Sequence, residues 1–216
     1  MMTNLFSTFD PCTGNLSLNW LSSLILLMMF NYNYWISMNN STNMIMTILN
    51  SIKKELIVIM PESGVSIMFL SMSVFILVNN LMGLIPYIFT SPSHLTFSLA
   101  LALPMWTSFM IYGWINKTNS MFMHLVPMGT PSVLMPFMVM IETISNIIRP
   151  GSLAVRLTSN MIAGHLLMAL LGNSCSLLTT TILMMIFIML MLFETAVSFI
   201  QSYVFMILTT LYSSEI

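Results

Sequence analysis

Apolar residues run in long blocks along this chain, separated by short polar breaks. A helix that crosses a bilayer needs about 20 mostly apolar residues, because each adds about 1.5 Å against a hydrocarbon layer of about 30 Å. Leu16 to Ile36 meets that length, with Trp20 and Trp35 near its ends as interfacial anchors. Asn39 to Thr42 interrupts the apolar run. Met44 to Met60 is shorter and carries Lys53, Lys54 and Glu55, so it reads as an amphipathic helix lying on the membrane surface. Val65 to Phe89 is the second span, with Asn79, Asn80, Gly83 and Pro86 in its final third. Leu95 to Ile115 is the third, entered through Ser91-Pro92-Ser93-His94 and followed by Lys117.

The second half parses in two ways. Pro127 to Leu171 is largely apolar but holds Glu142, Asn146, Arg149, Pro150, Gly151, Arg156, Asn160 and His165. Two upright spans joined at Pro150-Gly151 account for it, and so does one long, inclined, kinked crossing. Leu177 to Leu211 follows, with Glu194 and Gln201 inside it. As a straight helix it would be roughly 50 Å long and must tilt, kink or protrude. No internal repeat and no long linker divides the chain, so residues 1–216 read as a single membrane domain. Within it, 1–60 holds the first span and surface helix, 61–120 the second and third spans, and 121–216 the polar long helices.

Composition excludes the alternatives to a membrane protein. Of 216 residues only 5% are charged, where a soluble domain carries about 25%. Disordered chains are polar and charged, the reverse of a chain that is 57% hydrophobic. A net charge of −1 gives no footprint for nucleic acid. Cys12 and Cys175 have no metal-ligand spacing and make no disulfide framework, and the three histidines are scattered, so no metal or other cofactor is expected. No Lys or Arg precedes Lys53, which leaves no charged region for a cleavable signal or transit peptide. The 26 methionines share apolar positions with Leu and Ile, the mark of a biased genetic code rather than of a copper- or peptide-binding surface. Lys53, Lys54 and Lys117 fall in the loops after the first and third spans, on one side of the membrane; by the positive-inside rule that side is the cytoplasm or its equivalent, with the N-terminus opposite.

Charges at membrane depth cost about 2.5–3.5 kcal/mol each on insertion scales, so those present are functional candidates. Glu142, Asn146 and Arg149 occur at i, i+4 and i+7 and share one helix face. Glu194, Ser198 and Gln201 repeat that spacing in the last segment. Two polar stripes on two long apolar helices point to a hydrated path between them. Arg156 and Asn160 are i, i+4 neighbours, whereas His165 lies nine residues after Arg156, about 180° around the helix and about 13 Å along it. Arg156 and His165 therefore serve opposite faces. The small residues Ser159, Ala163 and Gly164 would let another helix approach closely.

Each feature also has a plainer explanation. Arg156 could be a structural arginine paired with Glu142 or Glu194. His165 could be a packing histidine, and Arg149 with Glu142 an internal ion pair at i, i+7. For Arg149 the structural reading is the better one. Ser198 is expected to hydrogen-bond back to its own helix. His94 and His124 lie at span ends, where interfacial placement needs no function.

The motif Arg156-Leu157-Thr158-Ser159-Asn160-Met161-Ile162-Ala163-Gly164-His165 resembles the signature of subunit a of F-type ATP synthases in its mitochondrial, arthropod-like form. The likeness covers nearly the whole chain. It includes Asn80 to Tyr87, His124 to Pro131, Ile141 to Ser145, Glu194-Thr195-Ala196 and Ile200 to Phe205. Met128 stands where the family usually has Gln, and the loop near Cys175 is short. The resemblance implies an all-α polytopic membrane protein with five crossings plus one amphipathic surface helix, the last two long helices steeply inclined against a rotating ring of c subunits. It favours the single long crossing for Pro127 to Leu171. It also implies a mitochondrial inner-membrane location, with the N-terminus toward the intermembrane space and the C-terminus toward the matrix, among peripheral-stalk and other membrane-sector subunits.

By the same resemblance Arg156 faces the ring carboxylate, and Asn160, His165, Glu194 and Gln201 belong to the intermembrane-space half-channel. Glu142 belongs to the matrix-side route, with Arg149, Ser145, Asn146 and Ser198 in support. The chain would translocate protons, bind no cofactor and make no substrate bond. Two other classes fit less of the sequence. A substrate transporter would need an inverted repeat and a midplane pocket. A purely structural subunit of a respiratory complex would not need two polar stripes and a lone arginine.

Overall fold

The computed structural model describes residues 5–12, 16–24, 39–60, 63–86, 88–126, 129–173 and 180–215. Among these residues the chain is built of helices and turns alone. Helix α1 spans Asn40–Ile59, α2 Ser63–Gly83, α3 Leu95–Asn116, α4 Thr118–Leu125, α5 Met135–Asn173 and α6 Thr180–Ser214. Short 3₁₀ turns occupy Leu5–Phe9, Leu18–Leu24 and Ser91–Ser93. Four helical stretches, Gly64–Gly83, Leu95–Asn116, Met135–Asn173 and Thr180–Ser214, are long and apolar enough to cross a membrane. The protein is an all-α polytopic membrane protein. Most of the first expected span lies outside the described residues, since only 16–24 of Leu16 to Ile36 are described.

Local chemistry explains where the helices depart from the apolar blocks. Asn39 to Thr42 does not interrupt α1 but begins it: the Asn39 carbonyl accepts the Asn43 N–H at 2.9 Å and the Thr42 hydroxyl at 2.8 Å. The helix ends at Ile59 because Met60 precedes Pro61 and takes an extended conformation (φ −127°, ψ 106°). Helix α2 stops at Gly83, short of the Phe89 expected from hydropathy. There Leu84 and Ile85 turn their N–H groups to the Leu81 and Met82 carbonyls, both at 3.2 Å. Gly83 makes that turn possible, since a Cβ on it would lie 3.3 Å from Thr90 Cγ2 of the returning chain. Helix α4, in the loop after Lys117, was hidden by its short and mixed sequence.

From Met135 to Asn173, α5 is one continuous helix of 39 residues that passes through Pro150. The single long crossing is therefore the correct parse of Pro127 to Leu171. At 1.5 Å per residue α5 is about 58 Å long, and α6, with 35 residues, about 52 Å; both exceed the hydrocarbon thickness. Helix α6 packs chiefly on α2, and α5 chiefly on α3. Their junction is a buried cluster of Ile76, Ala102, Leu153, Ala154, Leu157 and Phe205. A second cluster, Leu56, Phe69, Met105 and Met206, ties α1 to the bundle. The surface helix is also tied by a polar link, since the Tyr203 hydroxyl of α6 donates to Glu55 Oε2 at 3.1 Å.

Ala154 is completely buried where these helices meet. Ala154→Leu should destabilise the bundle by about 1–3 kcal/mol through overpacking. A lowered thermal unfolding midpoint of the purified protein in detergent, against unchanged behaviour for Val155→Leu on the exposed face of the same helix, checks this.

Candidate functional site

Helix α5 carries its polar residues in three zones along its axis. The first turns bear Glu142, Ser145, Asn146 and Arg149, the middle bears Arg156 and Asn160, and the last third bears His165. Each zone has a different environment.

The first zone lines a cavity of about 430 Å³ that also takes in His124, Tyr212 and Glu215. Here Arg149 is paired. Its guanidinium lies 3.6 Å from Glu142 Oε1 and 2.5 Å from Glu215 Oε2, and 5.2 Å from the centre of the Tyr212 ring. The expected i, i+7 pair with Glu142 is present, and it is the longer of the two contacts. Glu215 was missed. It continues the spacing of seven that runs Glu194, Gln201, Leu208, Glu215 along α6, which is the signal that would have found it. Ser145 turns its hydroxyl to the Glu142 carbonyl at 2.8 Å, and Asn146 faces the cavity.

The last zone lines a larger cavity, of about 950 Å³, at the other end of the helix. Its walls are His165 and later residues of α5, Gly83 to Pro86 and Ile88 to Thr90, Phe187 and Met191 of α6, and Ser7 to Asp10 with Cys12 of the N-terminal segment. Glu194 lies one turn beyond Met191 and rests against the backbone of α5. A Cβ placed on Gly164 would sit 2.5 Å from Glu194 Oε1, so only glycine leaves room for the carboxylate there. The structure thus brings Glu194 to the residue beside His165. The two side chains are not bonded to each other, and His165 Nε2 and Glu194 Oε1 are both buried without a hydrogen-bond partner in the protein. Buried polar atoms are ordinarily satisfied, because an unmade bond costs about 1–3 kcal/mol. Asn80 shares this state: it is completely buried, and neither end of its amide is bonded.

At the mouth of this cavity the N-terminal segment carries its own charge. The Cys12 N–H donates to Asp10 Oδ1 at 3.1 Å. Hydrogen bonding to Asp10 and the negative charge of that carboxylate push the Cys12 thiol up from its ordinary range.

Between the two cavities α5 is sealed on one face and open on the other. Leu153, Ala154, Leu157 and Thr158 are buried in the bundle. Ser152, Val155, Arg156, Ser159, Asn160 and Ala163 form a continuous exposed strip on the opposite side. Arg156 makes no ion pair among the described residues, so pairing with Glu142 or Glu194 is not its role. The opposition of Arg156 and His165 expected from helical geometry holds. Asn160 shares the open strip with Arg156 and does not line the His165 cavity. On α6, Gln201 is half-buried and lines neither cavity, while Ser198 is buried and bonds back to the Thr195 carbonyl at 2.7 Å, as expected. Among the described residues no cluster of His, Cys, Asp or Glu could hold a metal.

Comparison with known proteins places this architecture. A family profile described as ATP synthase A chain matches residues 16–214. ATP synthase subunit a of Anopheles quadrimaculatus is 56% identical over 225 aligned positions, and that of Drosophila melanogaster 57% over 223, each alignment covering all of both chains. The subunit a of Locusta migratoria is 53% identical over 225, again end to end. With the family profile and full-length relatives agreeing, the chain belongs to the ATP synthase subunit a family, the proton-translocating membrane subunits of that enzyme.

Proposed function

We propose that the two cavities are the wells of two offset half-channels and that Arg156 separates them at the face of a rotating c-ring. The observation that carries this reading is their spacing along α5. One cavity touches the helix no later than Arg149 and the other no earlier than His165, a gap of 16 residues or about 24 Å of helix. The buried cluster around Leu153, Ala154 and Leu157 fills that gap, and Arg156 lies within it on the open strip.

A proton entering the His165 cavity reaches Glu194 and is handed to a carboxylate of the ring. That carboxylate crosses lipid only when neutral, because burying its charge is prohibitive. On return it meets Arg156, whose positive charge favours the ionised form, and the proton leaves through the cavity of Glu142. Asn160 and Gln201 belong to the entry route in this reading, Asn160 from the open strip beside Arg156. Arg149, Ser145, Asn146 and Ser198 give structural support. The potential supplies about 2.3 kcal/mol per charge per 100 mV. The chain is a non-catalytic subunit: it binds no cofactor, and ATP chemistry belongs to the soluble head.

Residues 1–216 act as one membrane domain of five crossings and a surface helix, with α5 and α6 steeply inclined along the ring. Small exposed side chains beside Arg156 (Ser159, Ala163) allow the close approach that such a partner needs. Peripheral-stalk and other membrane-sector subunits and the lipid bilayer cover the remaining apolar surface. The location is the mitochondrial inner membrane, with the N-terminus in the intermembrane space and the C-terminus in the matrix; the lysine-bearing loops support that orientation.

Arg156→Ala should abolish ATP-driven proton pumping while ATP hydrolysis by the head persists uncoupled. Arg156→Lys should also fail, because a compact, strongly hydrated ammonium does not replace the planar guanidinium. Arg149→Gln should retain much of the flux, as befits a residue held in ion pairs. Pumping by reconstituted complexes checks all three, and near-normal coupling in Arg156→Lys would refute the separator role.

Gly164→Ala should displace the Glu194 carboxylate and slow proton entry severalfold, as Glu194→Gln should, with the complex still assembled. Exchanging His165 and Glu194 should restore part of the loss if the two act as one access site. Proton flux at equal complex content is the measurement, and independent additive losses without rescue would defeat the coupling.

A membrane-impermeant maleimide should label Cys12 only from the intermembrane-space side, with Cys175→Ser removing the other thiol. Asp10 raises the thiol, so the thiolate that reacts is depleted until the pH climbs through the elevated value. Labelling should therefore rise at higher pH than for an ordinary thiol, and Asp10→Asn should move the rise to lower pH. Labelling from the matrix side would reverse the orientation.

A further inference from the structure

We infer that the N-terminal segment is a strap across the His165 cavity and that Phe9 is a positioning residue for His165. The Phe9 ring meets the His165 imidazole edge-on, with centroids 6.3 Å apart and planes at 87°. Such a perpendicular contact fixes both rings. It leaves Nε2 of His165 buried and unbonded, one residue along α5 from the Gly164 position against which Glu194 rests.

Phe9 is itself held by the body of the protein. Its carbonyl lies 3.0 Å from His94 Nε2, and since a carbonyl only accepts, that nitrogen carries the proton. The His94 ring packs against Trp20 and Phe89, with centroids 5.2 and 5.3 Å away, and those two rings touch each other at 5.6 Å. One residue on, Asn19 Nδ2 donates to the Asp10 carbonyl at 3.4 Å. Two successive carbonyls of the segment are thus tied to side chains from two other parts of the chain. This is more order than an apolar tail resting on a surface would show. His94, which the sequence leaves as an interfacial histidine, is the latch of the strap.

The consequence is a restricted access to His165. With the strap seated, a proton arrives past Asp10 and Cys12, which line the same cavity as His165; the Phe9 edge meets the imidazole, Glu194 of α6 rests at the neighbouring Gly164, and His94 holds the Phe9 carbonyl. With Phe9 removed, the imidazole loses that contact and is free to turn within the cavity. The inference rests on the proposed role of His165 in proton entry, and the two are tested separately.

The experiment uses the assembled complex in liposomes with Phe9→Ala, Phe9→Leu and His94→Ala chains. Diethyl pyrocarbonate, which acylates neutral imidazole, is applied, and modification of His165 is read by peptide mass. Labelling of His165 should increase severalfold in Phe9→Ala and His94→Ala and less in Phe9→Leu, which keeps apolar bulk. In parallel, the dependence of ATP synthesis on the pH of the proton-donating side should shift in Phe9→Ala with maximal ATP hydrolysis unchanged. Unchanged His165 labelling in both Phe9→Ala and His94→Ala overturns the strap. Increased labelling with an unmoved donor-side pH profile overturns the positioning role, while the strap stands. Normal proton flux in His165→Ala overturns the entry reading and the positioning role with it, and the labelling result still decides the strap.

Discussion

A charge in hydrocarbon is the constraint on which this structure depends. It makes an unneutralised carboxylate in lipid prohibitive and confines ionised side chains to polar cavities, ion pairs or faces that meet a partner. The middle of α5 answers both requirements with its two faces. Toward the bundle, Leu153, Ala154 and Leu157 close against Ile76, Ala102 and Phe205. Away from the bundle the strip around Arg156 is open. The polar cavities lie beyond either end of the closed stretch. A helix of ordinary span length would not have room for two wells and a seal between them; the 39 residues of α5 do.

Most polar residues of the bundle are silenced locally, which makes the exceptions informative. Ser198, Ser202, Thr209 and Thr210 are buried, and each turns its hydroxyl to a carbonyl three or four residues back on α6. Such back-bonding lets a polar side chain sit in an apolar helix without a partner from another element. Asn80, His165 and Glu194 cannot do this to completion, and atoms of all three remain buried and unbonded. Partly satisfied polar groups destabilise a bundle, so their persistence is consistent with a route for protons.

Much of this was legible in the sequence because bilayer thickness and helical periodicity are strong rules. Helix α1, the helices of the second and third expected spans and the opposition of Arg156 to His165 follow from block length and from 100° per residue. The ends of helices were less legible. Hydropathy carried α2 on to Phe89, whereas Gly83 and Pro86 ended it through backbone chemistry that no hydropathy window contains. Pro150 pulled in the other direction: it offered a break, yet packing kept α5 continuous. Long-range partners were least legible. That Glu215 would reach Arg149, 66 residues away, depends on the length and course of α6, and the tie between His94 and Phe9 spans 85 residues. Neither follows from the spacing along any one helix.

The two arginines of α5 show how tertiary course divides residues that the helix itself makes equivalent. Seven residues apart, Arg149 and Arg156 differ by only about 20° around the axis. They end in opposite states because the last turn of α6 and the residue that follows it carry Tyr212 and Glu215 to the Arg149 guanidinium. At the level of Arg156 the same helix presents Phe205 to the buried side of α5 and nothing charged to the open side. A guanidinium already engaged by two carboxylates has little differential affinity left for a third. One that makes no ion pair among the described residues, as with Arg156, is left in the proposed function to bias a passing carboxylate toward its charged form. The different pairing of the two arginines, on which the proposed function relies, therefore follows from the acid that the end of α6 brings to Arg149.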